Sequence, residues 1–277
     1  MYYLKQNVLG QVPKIELTEK EFLEIKNAKK TLRCALAIEE KFEILLSNLK
    51  ELEVEIADET SSNQALMSTS YTGSFSFRIL LERRLANLLT STKTYVDQVP
   101  SNVRDSFVES TGILEDVKKY FCDAYDSSID YRIMEMLRNH VQHNGIAIHS
   151  VQHNLKRTEN GMKNEVLALS KKSELVQNRK NKKTTLNEIP DSINLLSSCQ
   201  EYVSKLAEVH RKIRDKVEPN TLQARLVFEN AIARYKQLGG DPLGLNAFHD
   251  KKSDSVLVSI LLEFDDIRMN LQAKNLV

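Results

Sequence analysis

Four of the chain's six histidines, His140, His143, His149 and His153, crowd into one short region, and the first two lie in the stretch MEMLRNHVQHNG at residues 134–145. The same stretch carries Arg138, Asn139 and Gln142. Together these side chains suit metal-free cleavage of RNA. A neutral imidazole can take the proton from a ribose 2′-hydroxyl, because histidine titrates near working pH. A guanidinium can hold a phosphate through two hydrogen bonds and stabilise the charge that builds on its oxygens. An amide such as Asn139 can orient the phosphate or the imidazole. That chemistry needs neither a carboxylate pair nor a metal cage.

For these groups to work, an element must position them, and the surrounding residues spell a helix. Ile129, Ile133, Met136 and Leu137 fall on one stripe of a wheel turning 100° per residue, with Val141 at its edge and His140 inside it. A histidine within an apolar stripe reads as a satisfied core residue. Arg138 and Gln142 face the opposite way, while Asn139 and His143 lie between. Arg138 and His143 would stand about 140° apart and about 7.5 Å along the axis, so a second subunit completes a compact site more readily than one helix does. The spacing Arg-x4-His arises easily by chance in a chain with this many arginines and histidines, so its setting must give it weight.

Composition bounds that setting. The 277 residues include only 8 glycines and 5 prolines, which argues against a turn-rich all-β fold. Thirty-nine basic residues nearly balance 38 acidic ones, leaving a net charge of +1, so any polyanionic partner must be held by a local patch. Cys34, Cys122 and Cys199 form no paired or finger spacing, and a sparse, odd set fits reduced thiols in the cytoplasm. Cys122 and Cys199 lie in apolar helical patterns and read as small buried hydrophobes. The opening MYYLKQNVLGQVPK has no secretory pattern, and the longest near-apolar run, VLVSILLEF at 256–264, is too short to span a bilayer. A cytoplasmic protein without a membrane partner is expected.

Along the chain, Thr18 with Glu21 makes a capping box, and apolar residues from Phe22 to Val54 predict one long helix or two nearly continuous ones. The Ser/Thr-rich segment 59–74 reads as a connector. A second helix runs from about Phe75 until Pro100 ends it, a third covers 103–125, and a fourth covers 128–144, capped by Ser127 or Ser128 and closed at Asn144-Gly145. Residues 146–170 change to a β-hairpin pattern turning at 159–161. Beyond it, KKSELVQNRKNKK (171–183) concentrates positive charge. Helical periodicity returns over 190–217, Pro219-Asn220 begins a further helix that stops at Gly239-Gly240, and the tail after 256 fits either a strand or a short helix.

A helix with RRLANLL (83–89) followed by one carrying YRIMEMLRNHVQHNG (131–145) resembles the HEPN superfamily (higher eukaryotes and prokaryotes nucleotide-binding domain), whose helical bundle bears an Arg-polar-x3-His signature. Arg138, Asn139 and His143 match that signature one for one. The likeness covers residues 75–145 well, 17–58 loosely, and nothing after 146. It implies an HEPN-like helical bundle over 1–145, to which the residue patterns add a β-hairpin insertion and basic connector over 146–183 and a helical C-terminal region over 184–277, a mostly α fold. It implies a homodimer whose two motifs line one cleft, cleaving RNA without metal or other cofactor in a toxin–antitoxin or antiviral defence setting, with an antitoxin or regulatory protein as partner. Other members have lost activity and serve as scaffolds.

On this reading His143 is the general base, Arg138 the phosphate clamp and Asn139 the orienting amide. Lys171, Lys172, Arg179, Lys180, Lys182 and Lys183 then track the RNA backbone beside the cleft, or form only a solvated loop. Three alternatives stay open. Histidines 149 and 153 would lie about 13 Å apart on a strand and could share a metal only on a helix. The basic segment lacks an aromatic residue for base stacking. Long helices at 18–57 and 190–238 could make the chain an interaction module with a relic motif.

Overall fold

Thr18 donates its backbone N–H to Glu21 Oε2 at 2.7 Å, and Glu21 returns its own to Thr18 Oγ1 at 3.2 Å. These reciprocal bonds satisfy two donors that a helix start would otherwise leave orphaned. From that cap α1 runs unbroken over Glu19–Ser61. In the computed structural model, residues 1–61, 71–108, 112–143, 145–158, 161–178, 181–250 and 255–276 are described, with backbone alone for 155–158, 161–163 and 255–256. The connector expected at 59–74 is helical at both of its described ends, 59–61 and 71–74.

Strands β1 (Tyr2–Gln6) and β2 (Lys14–Leu17) precede α1. Helices α2 (Tyr71–Asp105), α3 (Ile113–Ser127) and α4 (Ile129–His143) follow it. Then come β3 (Ser150–Thr158), β4 (Gly161–Lys171), the short helices α5 (Lys172–Leu175) and α6 (Lys183–Glu188), and β5 (Ser192–Asn194). A second long helix, α7 (Leu195–Gln237), leads to β6 (Leu245–Asp250), β7 (Ser255–Ser259) and α8 (Glu263–Lys274). The fold is mostly α, with small antiparallel sheets.

Prolines misread as boundaries lie inside helices. Pro100 sits within α2 and Pro219 within α7. An interior proline removes one N–H and costs about 3 kcal/mol, but burial on both sides outweighs it. Tyr95, Val99 and Val103 are fully buried at four-residue intervals around Pro100, and Val217, Thr221, Ala224 and Phe228 are buried around Pro219. The third helix therefore starts at Ile113 rather than 103, because α2 claims residues up to Asp105. At the far end of α7, Gly239 takes a left-handed φ of 77°, and the N–H of Gly240 reaches back to Tyr235 O, so the expected stop stands. The tail is strand and helix in turn, β7 and then α8.

Two compact units emerge, neither one a consecutive stretch of sequence. The first comprises residues 1–40, 98–118 and 211–277. Its sheet has the order β2-β1-β6-β7, all antiparallel, so the N-terminal strand pairs with a strand some 240 residues away, Leu4 opposite Ala247. Leu4, Phe22, Leu32, Phe228, Tyr235 and Leu245 make its core.

The second unit comprises residues 41–97 and 119–210 and carries α4. Leu81, Leu85, Leu88, Met134, Leu137, Tyr202 and Leu206 are buried there. Tyr95 and His210 share a 2.8 Å hydrogen bond, and His210 stacks on Phe42 at 3.8 Å. The expected hairpin is present: β3 pairs with β4 from Ser150↔Leu169 to Thr158↔Gly161, and β5 extends the sheet. Residues 159 and 160 of its turn lie outside the described set.

Candidate functional site at the end of helix α4

Ser128 Oγ accepts the N–H of Tyr131 and starts α4, whose buried face is Tyr131, Ile133, Met134, Met136, Leu137 and His140. That burial fixes the helix rotation and so decides where the polar side chains point. His143, in the last turn, and Asn139 are exposed. Arg138 is tied down on its own helix: Nη2 donates to Asn139 Oδ1 at 2.6 Å, Nη1 to Gln142 Oε1 at 3.3 Å, and Nε lies 3.8 Å from Glu135 Oε2. Its side chain is only 17% exposed, and Nε is buried without a hydrogen bond. Asn139 is thus already used, holding the guanidinium through its carbonyl.

Residue 144 lies outside the described set, but the N–H of Gly145 bonds to His140 O and closes the helix. His140 is buried, as its place on the apolar stripe implied, yet it is not satisfied: its Nδ1 has no partner. Cys199 is buried, whereas Cys122 is exposed, because α3 turns that position away from its apolar side.

A cleft of about 160 Å³ runs beside α4, lined by Tyr125, Arg132, Glu135, Asn139, Asn181 and Lys182 among others. Lys182 donates to Tyr125 Oη at 2.8 Å and lies 4.9 Å over its ring. Arg132 is held by Glu188 at 2.5 Å and by the Asp126 carbonyl at 2.9 Å. The sequence reading passed over Arg132, although a wheel reveals it: Arg132, Asn139 and His143 stand at i, i+7 and i+11, within about 40° of one another. Arg138 lies on a different stripe.

The basic segment is divided in its uses. Of its cations, Lys182 alone among the described residues lines that cleft. Lys171 ends β4 and is exposed, and Lys183 begins α6 and is exposed. Lys172 is turned to the Ile189 carbonyl at 3.1 Å. Arg179 and Lys180 lie outside the described residues.

On the hairpin side, His149 Nδ1 accepts the N–H of Lys171 at 3.0 Å and lies 3.2 Å from Ser170 Oγ. Burial pushes its pKa down, against the nearby carboxylate of Glu174, with His140, Lys171 and Arg78 adding to the depression. His153 lies on β3, its Nε2 3.9 Å from Glu59. His149 stands just before β3 and His153 within it, so the two are not one turn apart on a helix. No cluster of three or more metal-ligating side chains occurs among the described residues.

Among the described residues no helix is long and apolar enough to cross a membrane. Comparison with protein-family models, with curated proteins and with solved structures finds no match to this chain.

Proposed function

We propose that the chain is a metal-independent endoribonuclease of HEPN type, acting as a homodimer in a toxin or phage-defence setting under the control of an antitoxin or other regulatory protein. His143 takes the 2′-hydroxyl proton, and the 2′-oxygen attacks phosphorus. Arg138 stabilises the phosphoryl oxygens, and Asn139 orients the guanidinium. The 5′-oxygen leaves with a proton from the other subunit's histidine. The products are a 2′,3′-cyclic phosphate and a 5′-hydroxyl.

The observation that carries this reading is the cleft beside α4, where Asn139 of the motif meets Lys182 of the basic segment and Arg132. Cations held in place along a cleft favour a phosphate backbone.

One observation favours a second reading, an inactive scaffold that acts through protein or nucleotide binding. Arg138 is mostly buried and engaged by Asn139, Gln142 and Glu135, as a structural residue would be.

End-group analysis separates the two. Mixed RNA incubated with the purified protein and excess chelator should yield 2′,3′-cyclic phosphate and 5′-hydroxyl ends, absent with Arg138→Ala. Ends bearing 5′-phosphate, or no new ends at all, would overturn the proposal.

A further inference from the structure

A second cleft, of about 350 Å³, opens at the end of α4, between the helix end and α5. Its volume lies in the range of small-molecule sites. His140, His149, Glu174 and Gln177 line it, with Gly145 and Ile146. At its edge His140 is 93% buried, with Nδ1 lacking any hydrogen bond. The ring borders the cleft on its Nε2 side, which lies 3.7 Å from where a Cβ on Gly145 would stand.

The hydrogen-bonding character of the cleft can be read atom by atom. His149 Nδ1 accepts a backbone N–H, so its ring hydrogen is on Nε2. That tautomer makes His149 a fixed donor. It can be neither a metal ligand nor a general base through Nε2. Glu174 supplies an acceptor: one oxygen takes the Gln177 side-chain N–H at 3.3 Å, and the other accepts no hydrogen bond among the described residues. A carboxylate here, with no lysine or arginine among the described lining residues, disfavours a phosphate, whereas Arg132 and Lys182 line the first cleft. Ile146, 40% exposed, gives an apolar wall.

A neutral ligand with an acceptor oxygen beside paired N–H donors fits this set. Guanine has that edge: O6 for a donor, and N1–H with the 2-amino group for a carboxylate. Adenine offers its N1 lone pair where Glu174 needs a hydrogen.

We propose that the cleft formed by His140, His149 and Glu174 is a guanine-binding pocket, with Glu174 accepting N1–H and the 2-amino group and His149 Nε2–H donating to O6. Where the ribonuclease reading holds, this deepens it by naming the base preferred next to the scissile phosphate, but binding itself does not depend on cleavage.

Titration of the intact protein with guanosine, inosine and adenosine, followed by calorimetry or by amide shifts, tests it directly. Guanosine should bind. Inosine lacks the 2-amino group and should bind about tenfold more weakly, the loss of one hydrogen bond to a charged acceptor. Adenosine should bind weakest. Glu174→Gln, a substitution on the surface, should erase the difference between guanosine and inosine. Equal binding of all three, binding of none, or an unchanged guanosine-to-inosine ratio in Glu174→Gln would overturn the pocket. RNA end analysis on the same preparation reports separately on cleavage.

Discussion

Two regions of this molecule handle buried charge in opposite ways. In the unit that holds β1 and α8, ionised groups are closed on one another. Glu39 receives Arg214 through both carboxylate oxygens, at 2.9 and 2.6 Å, and Asp265, fully buried, receives Arg268 at 2.5 Å and Arg225 at 2.8 Å. Gln272 adds bonds to both Glu39 and Arg268. At the end of α4, polar groups are left partly open: Arg138 Nε and His140 Nδ1 are buried without partners, and His143 is exposed. A closed network holds helices α1, α7 and α8 in place. Buried groups without partners cost stability and keep hydrogen-bonding capacity for something else.

The comparison is broken most forcefully at Asp265. Asp265→Ala removes the carboxylate hydrogen-bonded to Arg268, 2% exposed, leaving only Glu218 at 3.8 Å, and should cost about 3–5 kcal/mol in chemical denaturation. A loss near zero would mean the network is not closed in solution. A smaller effect sharpens the scale: Thr18→Ala removes one half of the capping box and should cost about 1 kcal/mol by the same measurement. His143→Ala should be smallest, within about 0.5 kcal/mol, because an exposed side chain in a last turn holds nothing in place.

How much of this was legible beforehand follows from distance along the chain. Thr18–Glu21, the cap at Ser128, the hairpin 150–171 and the stop at Gly239-Gly240 all rest on local signals, and the structure bears them out. Strand β1 was passed over because its partners are β2 and the remote β6, and nothing near Tyr2–Gln6 marks that pairing. Pro100 and Pro219 misled for a related reason: the rule they obey is local, while the burial that overrides it comes from other elements.

Within the candidate site, the wheel placed His140 on the buried stripe but could not show that its Nδ1 lacks a partner. Arg132 was within reach of the same wheel. Glu174 and His149 belong to different elements, so their shared cleft was invisible to periodicity.

The central claim is that the end of α4 is kept for chemistry rather than for stability. The most direct measurement is the rate of RNA cleavage in excess chelator by His143→Ala against the parent protein, both confirmed folded. Loss of at least about a hundredfold, with thermal stability unchanged, is the expected result for a general base. Equal rates would contradict the claim and leave His143 an ordinary surface residue.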